Sequence, residues 1–271
     1  MHTICTNQKN IAAFTLIELT LVLLVVGLAI GGVVAGQNMI RNAELRKIPL
    51  AIEDTRKQIL VFYDKFNALP GDFHKAEMVW GTECTGCNGD FSGFVGRQTG
   101  NIYDEHFNEY FAFWRHLQLA ELVDGDFTGT TGPWSVAHAI VGQNIPEIYN
   151  RIGINVFWQN NETNPSQTDR HVGKFGQVLL IGQQPPNWGW LNQNPTFSPE
   201  DALSIDLKID DGMPFTGTLY GNGAGQGVNY NGYELCTTAA RGDADNTNAE
   251  YDISIEDPAC FFIVRNVFPK Q

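Results

Sequence analysis

Apolar positions are concentrated at one end of the chain and spaced periodically along the rest. Phe14 to Gly36 is a 23-residue run, FTLIELTLVLLVVGLAIGGVVAG, broken by a single carboxylate at Glu18. As an α-helix it would extend about 35 Å at ~1.5 Å per residue, enough for a hydrocarbon core roughly 30 Å thick. The pattern predicts a membrane span. A carboxylate inside such a helix costs on the order of 2.5 to 3.5 kcal/mol at the bilayer centre and less near an end. Glu18 therefore requires a compensating partner.

Past Gly36 the pattern becomes amphipathic. Leu45, Ile48, Ile52, Ile59, Phe62 and Phe66 recur at helical spacings, one stripe facing a core. Pro49 predicts a kink near Ile48, and Leu69-Pro70-Gly71 predicts the helix end. Asp72 to Gly100, rich in Gly and polar residues, reads as a long loop. Phe107, Tyr110, Phe111, Trp114, Leu117 and Leu122 predict a helix over Tyr103 to Val123, capped at Asp124-Gly125. Strands are predicted at Gly153 to Trp158, Gly176 to Ile181, Tyr251 to Ile255 and Cys260 to Val264. Ser198-Pro-Glu-Asp201 opens a further helix that runs to Asp210-Asp-Gly212. The expected fold class is α+β, with a long N-terminal helix packed against an antiparallel sheet and extra helices and loops.

Asn10-Ile-Ala-Ala-Phe14-Thr-Leu-Ile-Glu18-Leu, followed at once by the apolar run, resembles the cleavage and methylation site of type IV prepilins and of type II secretion pseudopilins. The resemblance covers about the first 40 residues. It implies a leader, 1–13, removed by a membrane prepilin peptidase between Ala13 and Phe14, with N-methylation of the new terminus. It also implies that Glu18 pairs with the terminal amine of a neighbouring subunit during assembly. The family has Gly before the cut; Ala13 stands there in this chain, which implies slower processing. The implied organisation is a transmembrane half of the helix, 14–36, an amphipathic half, 37–69, and a periplasmic globular domain, 70–271. The implied role is a structural subunit, minor by its bulk, of a pseudopilus or pilus-like filament in the inner membrane. Its partners would be other pilin subunits, the prepilin peptidase, the assembly platform and membrane lipid. LPGDF at Leu69 to Phe73 and IDDGMPFTG at Ile209 to Gly217 are similar to phrases in large prepilin-like proteins.

Other readings of the same stretch explain less. A secretory signal has an apolar region of about 7 to 15 residues, shorter than this run and without an acid. A plain anchor accounts for the length but not for Glu18. Arg41, Arg46 and Lys47 lie beyond the run and only Lys9 before it, so orientation rests on the resemblance rather than on flanking charge. An anchored domain for binding or adhesion that never polymerises is the alternative function.

The formal net charge of −13 and the absence of basic clusters longer than a pair argue against nucleic acid as a partner. Arg46-Lys47 suits anionic headgroups. No dinucleotide, P-loop, zinc-protease or nucleophile-elbow motif is present, so no enzyme is expected. Trp188 and Trp190, set among prolines, could form a contact loop or fold onto the domain.

Of five cysteines, Cys5 lies in the leader. Cys84, Cys87, Cys236 and Cys260 allow three pairings, which sequence does not choose among; the local pairs are favoured, and the resemblance supports Cys236 with Cys260. Between them lies a run dense in oxygen donors. Asp243, Asp245, Asn246 and Asp252 are candidate calcium ligands, as the calcium sites in C-terminal loops of some major pseudopilins imply. A solvated acidic turn is the competing reading.

Overall fold

The computed structural model describes residues 15–96, 108–134, 137–161, 173–184, 191–222, 233–239 and 247–269. It divides into two compact units, one ending at Glu44 and one starting at Leu45.

Among its described residues the first unit is one helix, α1 (Leu16–Leu45), which reaches the first residue of the second. It is long and apolar enough to cross a membrane, and none of its side chains from Leu16 to Ala35 is buried. Helix α2 (Lys47–Phe66) follows after a single residue, Arg46. Pro49 explains the interruption. Its missing N–H would have bonded the Leu45 carbonyl, and its ring crowds that same group. The break therefore falls at Arg46, slightly before the expected kink. In α2 the buried residues are Ile48, Ile52, Thr55, Ile59 and Phe62, the predicted stripe with Thr55 added and Phe66 only half-buried. The helix ends at Phe66, ahead of Pro70, because Asn67 takes up a left-handed backbone (φ 50°) and returns its N–H to the Tyr63 carbonyl at 2.8 Å.

Within the second unit α2 lies against helix α4 (Glu109–Leu119), helix α5 (Pro199–Ile209) and strand β1 (Glu147–Tyr149), while α4 covers strand β2 (Ile152–Asn161). The sheet is five-stranded and antiparallel in the order β1-β2-β3-β5-β4, where β3 is Gly173–Gln183, β4 is Leu219–Asn222 and β5 is Phe261–Val264. Strands β2 and β3 form a hairpin in which Ile154 faces Ile181. All four residues of β5 are buried, as expected for a strand paired on both sides. The architecture is α+β.

Three local expectations are corrected. Asp72 to Gly100 is not loop throughout: it holds α3 (Ala76–Trp80) and a 3-10 turn (Gly81–Cys84). Helix α4 stops at Leu119 rather than running to Asp124-Gly125. Glu121 adopts a left-handed backbone (φ 62°), its N–H reaches the Gln118 carbonyl and that of Leu122 reaches Leu117. This is the paired bonding of a Schellman cap, usually built on Gly. Tyr251 to Ile255 is not a strand. Tyr251 makes one isolated bridge to Thr237, and the Asp252 carboxylate bends the chain by accepting from Ser254 N–H and Oγ. The place beside β5 goes to β4, which the periodicity had not marked. A short helix, α6 (Tyr233–Cys236), lies between β4 and β5 in the chain.

Candidate functional site

Ala13 and Phe14 lie outside the described residues. Glu18, in the first turn of α1, does have partners: its Oε2 accepts from both Thr15 N–H and Thr15 Oγ at 2.9 Å, while Glu18 N–H donates to Thr15 Oγ at 3.3 Å. This is a capping box, Thr-x-x-Glu, which satisfies two groups that a helix start leaves open. The carboxylate thus has a local role in addition to any role between subunits.

The cysteines are paired as Cys84–Cys87 and Cys236–Cys260, with Cα separations of 5.3 and 5.1 Å. The first bridge packs beside His116, which is fully buried. Gly71 N–H donates to His116 Nδ1 at 2.8 Å, so the ring carries its proton on Nε2 and donates it to the Cys87 carbonyl at 2.9 Å. The ring also stacks on Phe62 of α2, 6.1 Å between centroids. Desolvation holds His116 down to about 4, against the opposing bond to Cys87. With both nitrogens committed to backbone groups, this histidine is a structural pin and not a free base.

A buried acidic knot lies close by. Asp72 accepts from Ser92 N–H (2.8 Å) and Gly93 N–H (3.0 Å); Glu109 accepts from Asp90 N–H (3.0 Å) and Gly96 N–H (2.7 Å). Carboxylates here replace the missing sheet or helix partners of a loop backbone. Burial pushes Asp72 up to about 7 and Glu109 up to about 8, with the negative charge of Asp90 adding to both. An adjoining cavity of about 300 Å³ is lined by Gly86, Asn88, Asp90, Asn108 and Glu109 among others.

A second acidic group closes the far end of α5. Asp206 is fully buried and accepts from Tyr251 Oη at 2.8 Å. Desolvation and then the neighbouring Asp210 push it up to about 8. Asp210 caps the helix end, where its carboxylate accepts from the N–H groups of Asp211 (2.7 Å), Leu219 (3.0 Å) and Thr218. The Gly217 position explains the IDDGMPFTG spelling, since a Cβ there would run into the Asp210 carboxylate and the backbone is left-handed at φ 61°.

Of the candidate calcium ligands, Asp243, Asp245 and Asn246 lie outside the described residues. Asp252 is described and serves its own turn. Trp188 and Trp190 also lie outside. The buried acids Asp72, Glu109 and Asp206 were not singled out by sequence. The one available signal was Asp206 and Asp210 at i and i+4 on a helix, a like-charge pairing that is unfavourable without compensation. Comparison with protein-family models, with curated proteins and with solved structures finds no match.

Proposed function

We propose that the chain is a structural subunit of a type IV pilin-like or type II pseudopilus filament, cut before Phe14 and held in the inner membrane by α1 with its globular unit in the periplasm. The reading is supported by one observation above others. An apolar helix with no buried side chain along its first twenty residues carries the one carboxylate of that stretch at Glu18, the fifth residue of the chain that would begin at Phe14. A lipid-facing helix accommodates an acid at that depth only with compensation, and the amine of an incoming subunit supplies it. The partners in this reading are like subunits, a prepilin peptidase, the assembly platform and lipid; catalysis is not required.

Co-expression with a prepilin peptidase tests it by intact mass. A mature chain starting at Phe14 with a methylated amine is the expected product. A chain that keeps residues 1–13, or one cut after Gly36, removes the pilin reading.

The Thr15–Glu18 capping box favours the second reading, an anchored binding or adhesion domain that does not polymerise. It gives Glu18 work within a single chain. Cross-linking of the processed protein in membranes separates the two, since only a filament subunit yields a ladder of multimers.

A further inference from the structure

Asp206 has no exposed surface, and its two oxygens differ. Oδ2 accepts from Tyr251, whereas Oδ1 has no hydrogen-bond partner. One carboxylate oxygen from each of Asp206, Asp210 and Asp211 falls within 4.8 Å of the others. Besides Tyr251, Asp206 feels the Gly212 N–H and the neighbouring Asp210 carboxyl. Asp210 takes the backbone of Asp211, Thr218 and Leu219, while Asp211 takes Met213 N–H at 2.9 Å and the Thr216 hydroxyl. These bonds hold the two outer carboxylates in place without reaching Asp206 Oδ1.

The local charge is unbalanced. Three acids crowd the C-terminal end of α5, where the helix carbonyls add negative potential of their own. Lys208 turns back to Ser204 Oγ at 3.1 Å. Arg265 donates to the Gly217 carbonyl and lies over the Tyr220 ring, so it offsets one of the two outer charges, and an ion at Asp206 would displace the proton that burial keeps there.

We propose that Asp206, Asp210 and Asp211 hold a divalent cation of the calcium class, with Asp206 Oδ1 as the buried ligand. Oxygens on opposite sides of an ion bound at about 2.4 Å stand about 4.8 Å apart, so the three carboxylates fit one calcium shell. Asp211 is exposed and Asp210 half-buried, which leaves a face for water to complete a set of roughly 6 to 8 oxygens. Magnesium demands stricter geometry at shorter distances and fits less well. The ion would fasten the end of α5 to Tyr251, and so to the loop closed by Cys236 and Cys260. Nothing in this assignment depends on the filament reading.

Terbium, a luminescent calcium substitute, tests it on the full chain in detergent. Tyr251 Oη lies 2.8 Å from Asp206 Oδ2, so excitation of the ring should sensitise a bound terbium ion. Saturable emission that calcium displaces and magnesium does not is expected, together with a melting temperature higher in calcium than in chelator. Asp211→Asn changes an exposed residue and keeps an acceptor oxygen for Met213. It should weaken terbium binding roughly tenfold or more, because affinity follows ligand charge. Asp206→Asn should do the same where circular dichroism shows it folded. Asp245→Ala should leave binding unchanged. No saturable emission, equal affinity in Asp211→Asn, or loss of binding in Asp245→Ala would each overturn the assignment.

Discussion

Gly71 N–H donates to His116 Nδ1 at 2.8 Å across 45 residues of chain, joining the loop after α2 to the last turn of α4. On its other side the same ring donates to the Cys87 carbonyl. One side chain therefore satisfies two buried backbone groups from two loops and stacks on α2 through Phe62. Replacing it by alanine strands both groups and opens a void. His116→Ala is expected to cost about 2 to 4 kcal/mol, the range for buried groups that lose their partners together with lost packing. Denaturant unfolding measures it through a lower midpoint at unchanged slope.

Stability should fall as pH rises from about 6.5 to 8. Glu109 and Asp72 have folded values raised from 4.5 to about 8 and from 3.8 to about 7. Each contributes fully below its unfolded value, and that contribution is lost as pH rises through the folded one. His116 acts with the opposite sign: lowered from 6.5 to about 4, it contributes above 6.5 and loses that contribution as pH falls through 4. Above pH 6.5 these two acids, together with Asp206, raised from 3.8 to about 8, set the slope, on the order of a few kcal/mol over this window. Thermal melts of wild type and Glu109→Gln check the sign and the source. The variant should show the shallower dependence.

At Glu18 two roles can be separated by one substitution. Gln retains an acceptor for the Thr15 capping box but carries no charge. Ala loses both. If pairing with a neighbour's amine is what assembly needs, Glu18→Gln should fail to assemble as completely as Glu18→Ala, with processing and membrane insertion intact. Pull-down of mixed tagged and untagged subunits reads this. Assembly of the Gln variant at the wild-type level would assign Glu18 to capping.

Glu121 occupies a position that favours glycine, in a left-handed backbone that closes α4. Glu121→Gly should relieve the strain at its Cβ and stabilise the protein by about 0.5 to 1 kcal/mol, net of the entropy glycine gains when unfolded. A shift of the thermal midpoint upwards is the readout. Glu121→Val, branched at Cβ, should move it down.

The local pattern of residues placed the long apolar helix, described from Leu16, the stripe Ile48-Ile52-Ile59-Phe62, the strands β2 and β3 and the Ser198 cap of α5. Each is a local property: a helix face repeats within a few residues, and a capping serine bonds three positions on, Asp201 N–H to Ser198 Oγ at 3.2 Å. The distribution of apolar residues cannot say where chain segments far apart in sequence will meet. Tertiary structure decided that β4 rather than Tyr251 to Ile255 would pair with β5, because Tyr251 is drawn instead to Asp206, 45 residues away. It decided that Asp72 and Glu109 would be buried, because loop N–H groups without sheet or helix partners needed acceptors. It also made His116 a pin between two loops, a role that depends on three segments meeting around one ring and that no single stretch of sequence encodes.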